Sequence, residues 1–248
     1  MGEPDAASPQ RHAHGCFATT HWSLVCAAAA AGSPRQPAAL EELCRLYWPP
    51  LYAYLRRSGC RPQDAEDLTQ AFLARLLERG LLAYACPERG RFRNFLLAAL
   101  KNFAADARDH ATALKRGGNR PLLALDVAEA ERDYRALASP ELPPDMVYER
   151  TWALAVLDRA LTALRAEYAA RGREALFDGL KDHVWGEARE TIARAGAALG
   201  LTETAARVAV HRLRQRFGAI LRQQVAETLA DPAEVDAELR HLLSIFAG

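Results

Sequence analysis

The chain has 248 residues, of which 50% are apolar and 25% charged, and a formal net charge of +1. That is enough apolar material for a proper core in one large or two small domains, so the chain is expected to be folded and soluble. The near-neutral charge argues against a generic nucleic-acid coat and says nothing about a local basic face. No apolar run approaches the roughly 18 residues needed to span a bilayer, which excludes a membrane-spanning helix.

Residues 1–16 are rich in Pro, Ala, Gly and His without periodicity and are expected to be disordered. Leu24 to Ala31, "LVCAAAAA", has the texture of a short signal-peptide core. Glu3, Asp5 and three histidines precede it instead of a compact basic segment, so it reads as the start of a helix. Five cysteines (Cys16, Cys26, Cys44, Cys60, Cys86) show no CxxC and no histidine pair at metal-ligand spacing. They are expected to be reduced core thiols of a cytoplasmic protein.

From Leu40 the apolar residues recur at three and four: Leu40, Leu43, Cys44, Tyr47, Leu51, Tyr54 and Leu55, with Pro49-Pro50 expected to kink or divide the helix. A second helix starts at Pro62, carries Asp64, Glu66 and Asp67 at its N-terminal end, buries Ala65, Leu68, Phe72 and Leu76, and stops at Gly80. A third runs from about Phe92 to Leu114 with Phe95, Leu96, Ala99, Leu100 and Phe103 inward. Residues 89–120 hold eight cations against Asp106 and Asp109, a net of +6. Such a surface could track phosphates, with Phe92, Phe95 and Phe103 stacking on unpaired bases. Core phenylalanines beside solvated cations fit the same pattern.

Between 117 and 149 the texture breaks at Gly117-Gly118, Pro121, Pro140 and Pro143-Pro144, and residues 124–150 carry seven acids against three arginines. This segment is expected to be an acidic linker with one short helix. Helical periodicity resumes at Trp152, with Leu154, Leu157, Leu161 and Leu164 as one apolar row. No stretch alternates with period two for long enough to make a sheet. The expected fold is therefore all-α, two small helical domains on a flexible linker.

Residues 192–217 read as two helices around a turn. The first buries Ile192, Ala195 and Leu199, Gly200 supplies the left-handed residue that ends it, and Thr202 caps the next. On the second helix Leu201, Ala206, Val210, Leu213 and Phe217 face inward, while Thr204, Arg207, His211 and Arg214 share another face, flanked by Arg212 and Arg216. This is a helix-turn-helix pattern, whose second helix lies in the major groove. A helical hairpin whose arginines solvate a surface has the same pattern. The acids near Pro62 would repel nucleic acid and suit a protein partner, or they stabilise a helix dipole.

Three segments together resemble a bacterial RNA polymerase sigma factor of the small extracytoplasmic-function (ECF) type. "DAEDLTQAFLARLLERG" (64–80) is similar to the family's polymerase-docking helix, "GRFRNFLLAALKNFAADARDHATALKRGG" (90–118) to the helix that binds and opens the −10 element, and "AALGLTETAARVAVHRLRQRF" (197–217) to the helix-turn-helix that reads the −35 element. "FATTHWSLV" (17–25) and "ADPAEVDAELRHLLSIF" (230–246) resemble a subgroup of such factors from large bacterial genomes.

The resemblance implies a region-two-like domain over 17–116, a linker over 117–149, a region-four-like domain over 150–225 and a C-terminal helical extension over 226–248. It implies that Glu66, Asp67 and Gln70, with Leu73 or Ala74, meet the polymerase. Arg91, Arg93, Lys101, Asn102 and Arg108 would lie on the −10 strand, with Lys115 and Arg116 on phosphates. Thr202, Thr204, Arg207, Val208, His211, Arg212 and Arg214 would approach the −35 major groove. Core RNA polymerase and promoter DNA are the implied partners, with room for an anti-sigma factor or other regulator. No cofactor, metal, small-molecule substrate or membrane insertion is implied, and the place of action is the cytoplasm, at the nucleoid.

The chain departs from the family at Ala71, where many sigma factors carry an acid, and at residues 167–190, longer and more polar than the usual connection. The extension, apolar at Val235, Leu239, Leu242, Leu243 and Phe246, exceeds the minimal two-domain plan. The chief rival is a free-standing helix-turn-helix regulator, which would bind operator DNA alone and have no use for an acidic docking helix. An all-helical adaptor is a second. An enzyme is disfavoured, because no Gly-rich phosphate loop, nucleophile elbow or HExxH pair is present and the seven histidines are scattered. "DHVWGE" (182–187) is the one cluster to check for a metal, and none is expected there.

Overall fold

The computed structural model describes residues 20–30, 32–78, 82, 85, 90–109, 127–137, 139, 141–185, 190–226, 228, 229 and 231–246. Among these residues the chain is helical, with no strand. Residues 1–16, the glycines at 117 and 118, Pro121, Pro140, Cys16 and Cys86 lie outside them.

Helix α1 (Thr20–Ala29) lays Leu24, Val25 and Ala28 on α2 (Gln36–Arg57). The alanine-rich run is thus part of the core. Pro49 and Pro50 do not divide α2, which continues for 22 residues. Each proline removes one backbone donor from the helix, yet Trp48, Leu51 and Tyr52 around them are 2%, 0% and 0% exposed. Burial of these large side chains outweighs the missing bonds. Helix α3 (Pro62–Glu78) packs Ala65, Thr69, Phe72, Leu73 and Leu76 inward, with Leu68 half-buried.

Helix α4 (Phe92–Asp109) buries Phe92, Leu96, Leu100 and Ala104 as one row, with Arg93 beside them. Phe95, Ala99 and Phe103, expected inside, are half-buried on its flank. The phenylalanines serve the core: Phe92 meets Tyr47 edge-on at 5.3 Å and Phe103 packs on Phe72 at 5.6 Å.

Within the span expected to be a linker lie α5 (Val127–Leu137) and the start of α6 (Pro144–Ala169). Glu131 fixes α5 to α2, accepting from Tyr52 Oη at 2.6 Å and from Arg56 Nε and Nη2 at 2.8 and 2.9 Å. Helix α6 begins at Pro144, eight residues before the expected Trp152. Its buried row is Tyr148, Trp152, Val156, Ala160 and Leu164 at a spacing of four. Leu154, Leu157 and Leu161 instead line an open groove shared with α2 and α5.

Helix α6 packs on α2 and on α9, so a single buried cluster runs from Leu24 to Ile245. Residues 117–149 therefore mark no break in the core of the described helices. Helix α7 (Glu174–Leu180) and a 3₁₀ turn (Lys181–His183) lead to α8 (Ile192–Ala198) and α9 (Glu203–Ala226), and α10 (Val235–Ser244) closes the chain. Of the expected α10 stripe, Val235 and Leu242 are buried, but Leu243 and Phe246 are 59% and 39% exposed. Glu238 and Ile245 take the inward places. Cys44 is a core thiol, pushed up to about 11 by burial, whereas Cys26 is exposed and not a core residue.

Candidate nucleic-acid interface

The turn between α8 and α9 is set by three residues. Gly200 takes φ +70°, which an L side chain resists, and turns the chain out of α8. Thr202 Oγ1 then accepts the Ala205 N–H at 3.2 Å, capping α9, as Thr191 Oγ1 accepts the Arg194 N–H at 3.3 Å for α8. Gly196 is the point of crossing: a Cβ built there would fall far inside van der Waals contact with Ala206 Cβ. The two helices touch where both have almost no side chain.

With Ala206, Val210, Leu213 and Phe217 buried, the opposite face of α9 is fixed by periodicity. Thr202, Thr204, Arg207, Val208, His211, Arg212 and Arg214 are all exposed. Val208 is 45% exposed, an apolar group on this otherwise polar face. Arg207 pairs with Glu203 one turn earlier at 2.6 Å, with side chains 70% and 56% exposed, a contact worth only a few tenths of a kcal/mol. Arg214 also braces the domain, since its Nε and Nη2 donate to the His183 carbonyl at 3.0 and 2.8 Å and hold the 3₁₀ turn on α9. Arg216 pairs with Glu167 of α6 at 2.5 Å.

On α4 the expected −10 residues are not equivalent. Asn102 is exposed and Lys101 Nζ lies 2.7 Å from Asp145 Oδ2 of α6. Arg91, 30% exposed, has Nη2 2.7 Å from Glu238 Oε2 of α10. Arg93 is no surface residue: it is 2% exposed, pairs with Glu238 and with Glu149 at 3.1 Å, and lies 4.1 Å from the centroid of the Trp152 ring. Tyr148 Oη donates to its carbonyl at 2.9 Å. A guanidinium so enclosed cannot reach DNA in this arrangement. Lys115, Arg116 and the side chain of Arg108 lie outside the described residues.

On α3, Asp67 is exposed, while Glu66, Gln70 and Ala74 are half-buried; Gln70 Nε2 donates to Glu66 Oε1 at 3.2 Å. Leu73 is 2% exposed, on the inward side with Phe72 and Leu76, and cannot meet a partner. Asp145, Glu149, Trp152 and Glu238 were not among the residues expected at these surfaces. The available signal was a charge on an apolar stripe: Glu238 falls between Val235 and Leu242, and Arg93 precedes Leu96 and Leu100.

Among the described residues no three His, Cys, Asp or Glu side chains are grouped to hold a metal ion. Of the "DHVWGE" cluster, residues 186 and 187 lie outside the described residues. No described helix is long and apolar enough to cross a membrane. Comparison with protein-family models, with curated proteins and with solved structures finds no match to this chain.

Proposed function

We propose that this chain is an alternative sigma factor of the ECF type. In this reading it acts in the cytoplasm without catalysing a reaction, docking on core RNA polymerase through α3 and placing α9 in the major groove of the −35 element. The pair α8–α9 acts as a helix-turn-helix, and the parts before and after residues 117–149 take the two roles while sharing one core. Phosphate contacts give affinity and make it salt-dependent, while a few base contacts, each worth roughly 1 to 3 kcal/mol, give specificity. Exposed α4 groups such as Asn102 then hold unstacked bases of the −10 strand, offsetting the few kcal/mol that unstacking requires.

The observation that carries the reading is the α9 face: six exposed residues suited to DNA on a helix whose other side is locked to α8, with Thr202 exposed at its cap. The acidic α3 row supports a second, protein-binding surface. A reconstituted transcription assay with bacterial core polymerase and selected genomic fragments tests both. Arg207→Ala should lose promoter-specific transcripts while keeping polymerase, and Asp67→Arg with Gln70→Ala should lose polymerase first. Wild-type transcription by both variants would contradict the assignment. The occupied cations of α4 favour one other reading, a free-standing regulator that needs only α9; it would bind duplex DNA and no polymerase.

A further inference from the structure

Two cations of α4, Arg93 and Lys101, and Arg91 just before it, all expected on the promoter strand, face acids that come from far along the chain. Lys101 meets Asp145, Arg93 meets Glu149 and Glu238, and Arg91 meets Glu238. Asp145 and Glu149 stand in the first two turns of α6, and Glu238 stands on α10. On α9, Arg207 pairs within its own helix, whereas Arg216 meets Glu167 of α6 and Arg222 meets Asp236 of α10. Among the described residues, Arg212 has neither a hydrogen-bond nor an ion-pair partner.

Glu238 is 0% exposed, and a carboxylate so buried is stable only while it is paired. Further contacts hold α10 in place: Arg222 Nη1 of α9 donates to Asp236 Oδ1, Arg150 Nε donates to the Ile245 carbonyl at 3.2 Å, and His241 Nε2 lies 3.6 Å from Glu149 Oε2. Nucleic-acid phosphates present the same anionic oxygens as these carboxylates and suit the same guanidinium and ammonium groups.

We propose that α10 and the first turns of α6 form an acidic latch that occupies the cationic face of α4 in the free protein and yields it to the phosphates of a single strand. The latch rests on the reading of α4 as a nucleic-acid surface. The outer pair, Lys101–Asp145, has side chains 42% and 56% exposed, and it opens first. Arg93 is released only when α10 leaves.

The test uses the full chain and a short, fluorescein-labelled, mixed-sequence single strand, with binding read by anisotropy across a salt series. Asp145→Asn with Glu149→Gln opens the latch from α6, and Glu238→Gln opens it from α10. Asp133→Asn with Asp158→Asn makes the same charge change at the groove between α2, α5 and α6. Each freed cation should tighten binding roughly eightfold at about 50 mM salt and steepen the salt slope by about 0.7. The groove variant should change binding by less than about twofold. Adding Lys101→Ala to the α6 variant should remove its gain, because Arg93 stays held by Glu238 of α10. Should Glu238→Gln not fold, the α6 variant decides alone, since neither of its positions is fully buried. Capture of core polymerase by the same proteins separates the two proposals. A gain in DNA binding without polymerase keeps the latch and rejects the sigma factor. Polymerase capture with no gain, or an equal gain in the groove variant, rejects the latch and keeps the sigma factor. Neither gain nor capture rejects both.

Discussion

Gly196→Ala adds one methyl group at the crossing of α8 and α9, and the geometry there decides the sign of its effect. In a helix interior this change ordinarily gains about 0.5 to 1 kcal/mol, because alanine loses less backbone freedom. Here the new carbon would run into Ala206 Cβ, with Ala206 Cα and the Leu201 carbonyl oxygen each 3.8 Å away. None of these belongs to a flexible side chain that could swing aside. The helices must therefore part, and such overpacking costs roughly 1 to 3 kcal/mol. The net expectation is a loss of about 1 to 2 kcal/mol, or about 2 to 8 °C in melting temperature for a chain of this size. Thermal and urea unfolding followed by circular dichroism measure it. Ala206→Gly in the same chain returns the space, so a double-mutant cycle should show favourable coupling of about 0.5 to 3 kcal/mol. A Gly196→Ala protein as stable as wild type, or a cycle without coupling, would refute the close crossing and with it the fixed α9 face.

Arg93→Ala leaves Glu238 buried without its main partner and should cost about 3 to 5 kcal/mol in denaturant unfolding; a loss under about 1 kcal/mol would contradict the buried network. Arg207→Ala, at an exposed position, should leave stability within about 0.5 kcal/mol and weaken binding to a selected duplex site by about 1 to 3 kcal/mol. The Arg56 and Tyr52 bonds hold the Glu131 carboxyl down at about 2, below the usual 4.5. Its contribution is therefore full above about pH 4.5 and fades as pH falls toward about 2. Glu131→Gln should be less stable than wild type at pH 7, with the gap narrowing on acidification; an unchanged gap would contradict the α5 anchor. Cys44, raised to about 11 and buried, should stay unlabelled by a maleimide in the folded protein at neutral pH, while exposed Cys26 reacts, as peptide mapping would read.

What was legible in the sequence was local. Gly200 and Thr202 mark the turn because φ and capping are properties of single residues, and the alternation of Ala206, Val210, Leu213 and Phe217 with exposed residues fixes which side of α9 faces out. Helix α2 shows where a local rule yields: two prolines signal a break, but the surrounding Trp48, Leu51 and Tyr52 are worth more buried than the two lost bonds. In α6 apolar residues occupy more than one face, so the leucine row masks Tyr148, Trp152, Val156 and Ala160, the face that α2 and α9 select. A charge on an apolar stripe marks Arg93 and Glu238 singly, but their pairing with each other and with Glu149 was not legible, because the members are far apart in sequence. Arg91, Arg93 and Lys101 therefore read as one basic surface although each is met by a remote acid.

If this chain is a polymerase specificity factor as proposed, it must bind core RNA polymerase, and capture of that enzyme is the decisive assay. The tagged full chain is mixed with bacterial core polymerase at moderate salt after nuclease treatment, with Asp67→Arg as the control at an exposed α3 position. Near-stoichiometric capture by the wild type, and its loss in the variant, is the expected result. Duplex DNA binding without any capture of polymerase would contradict it.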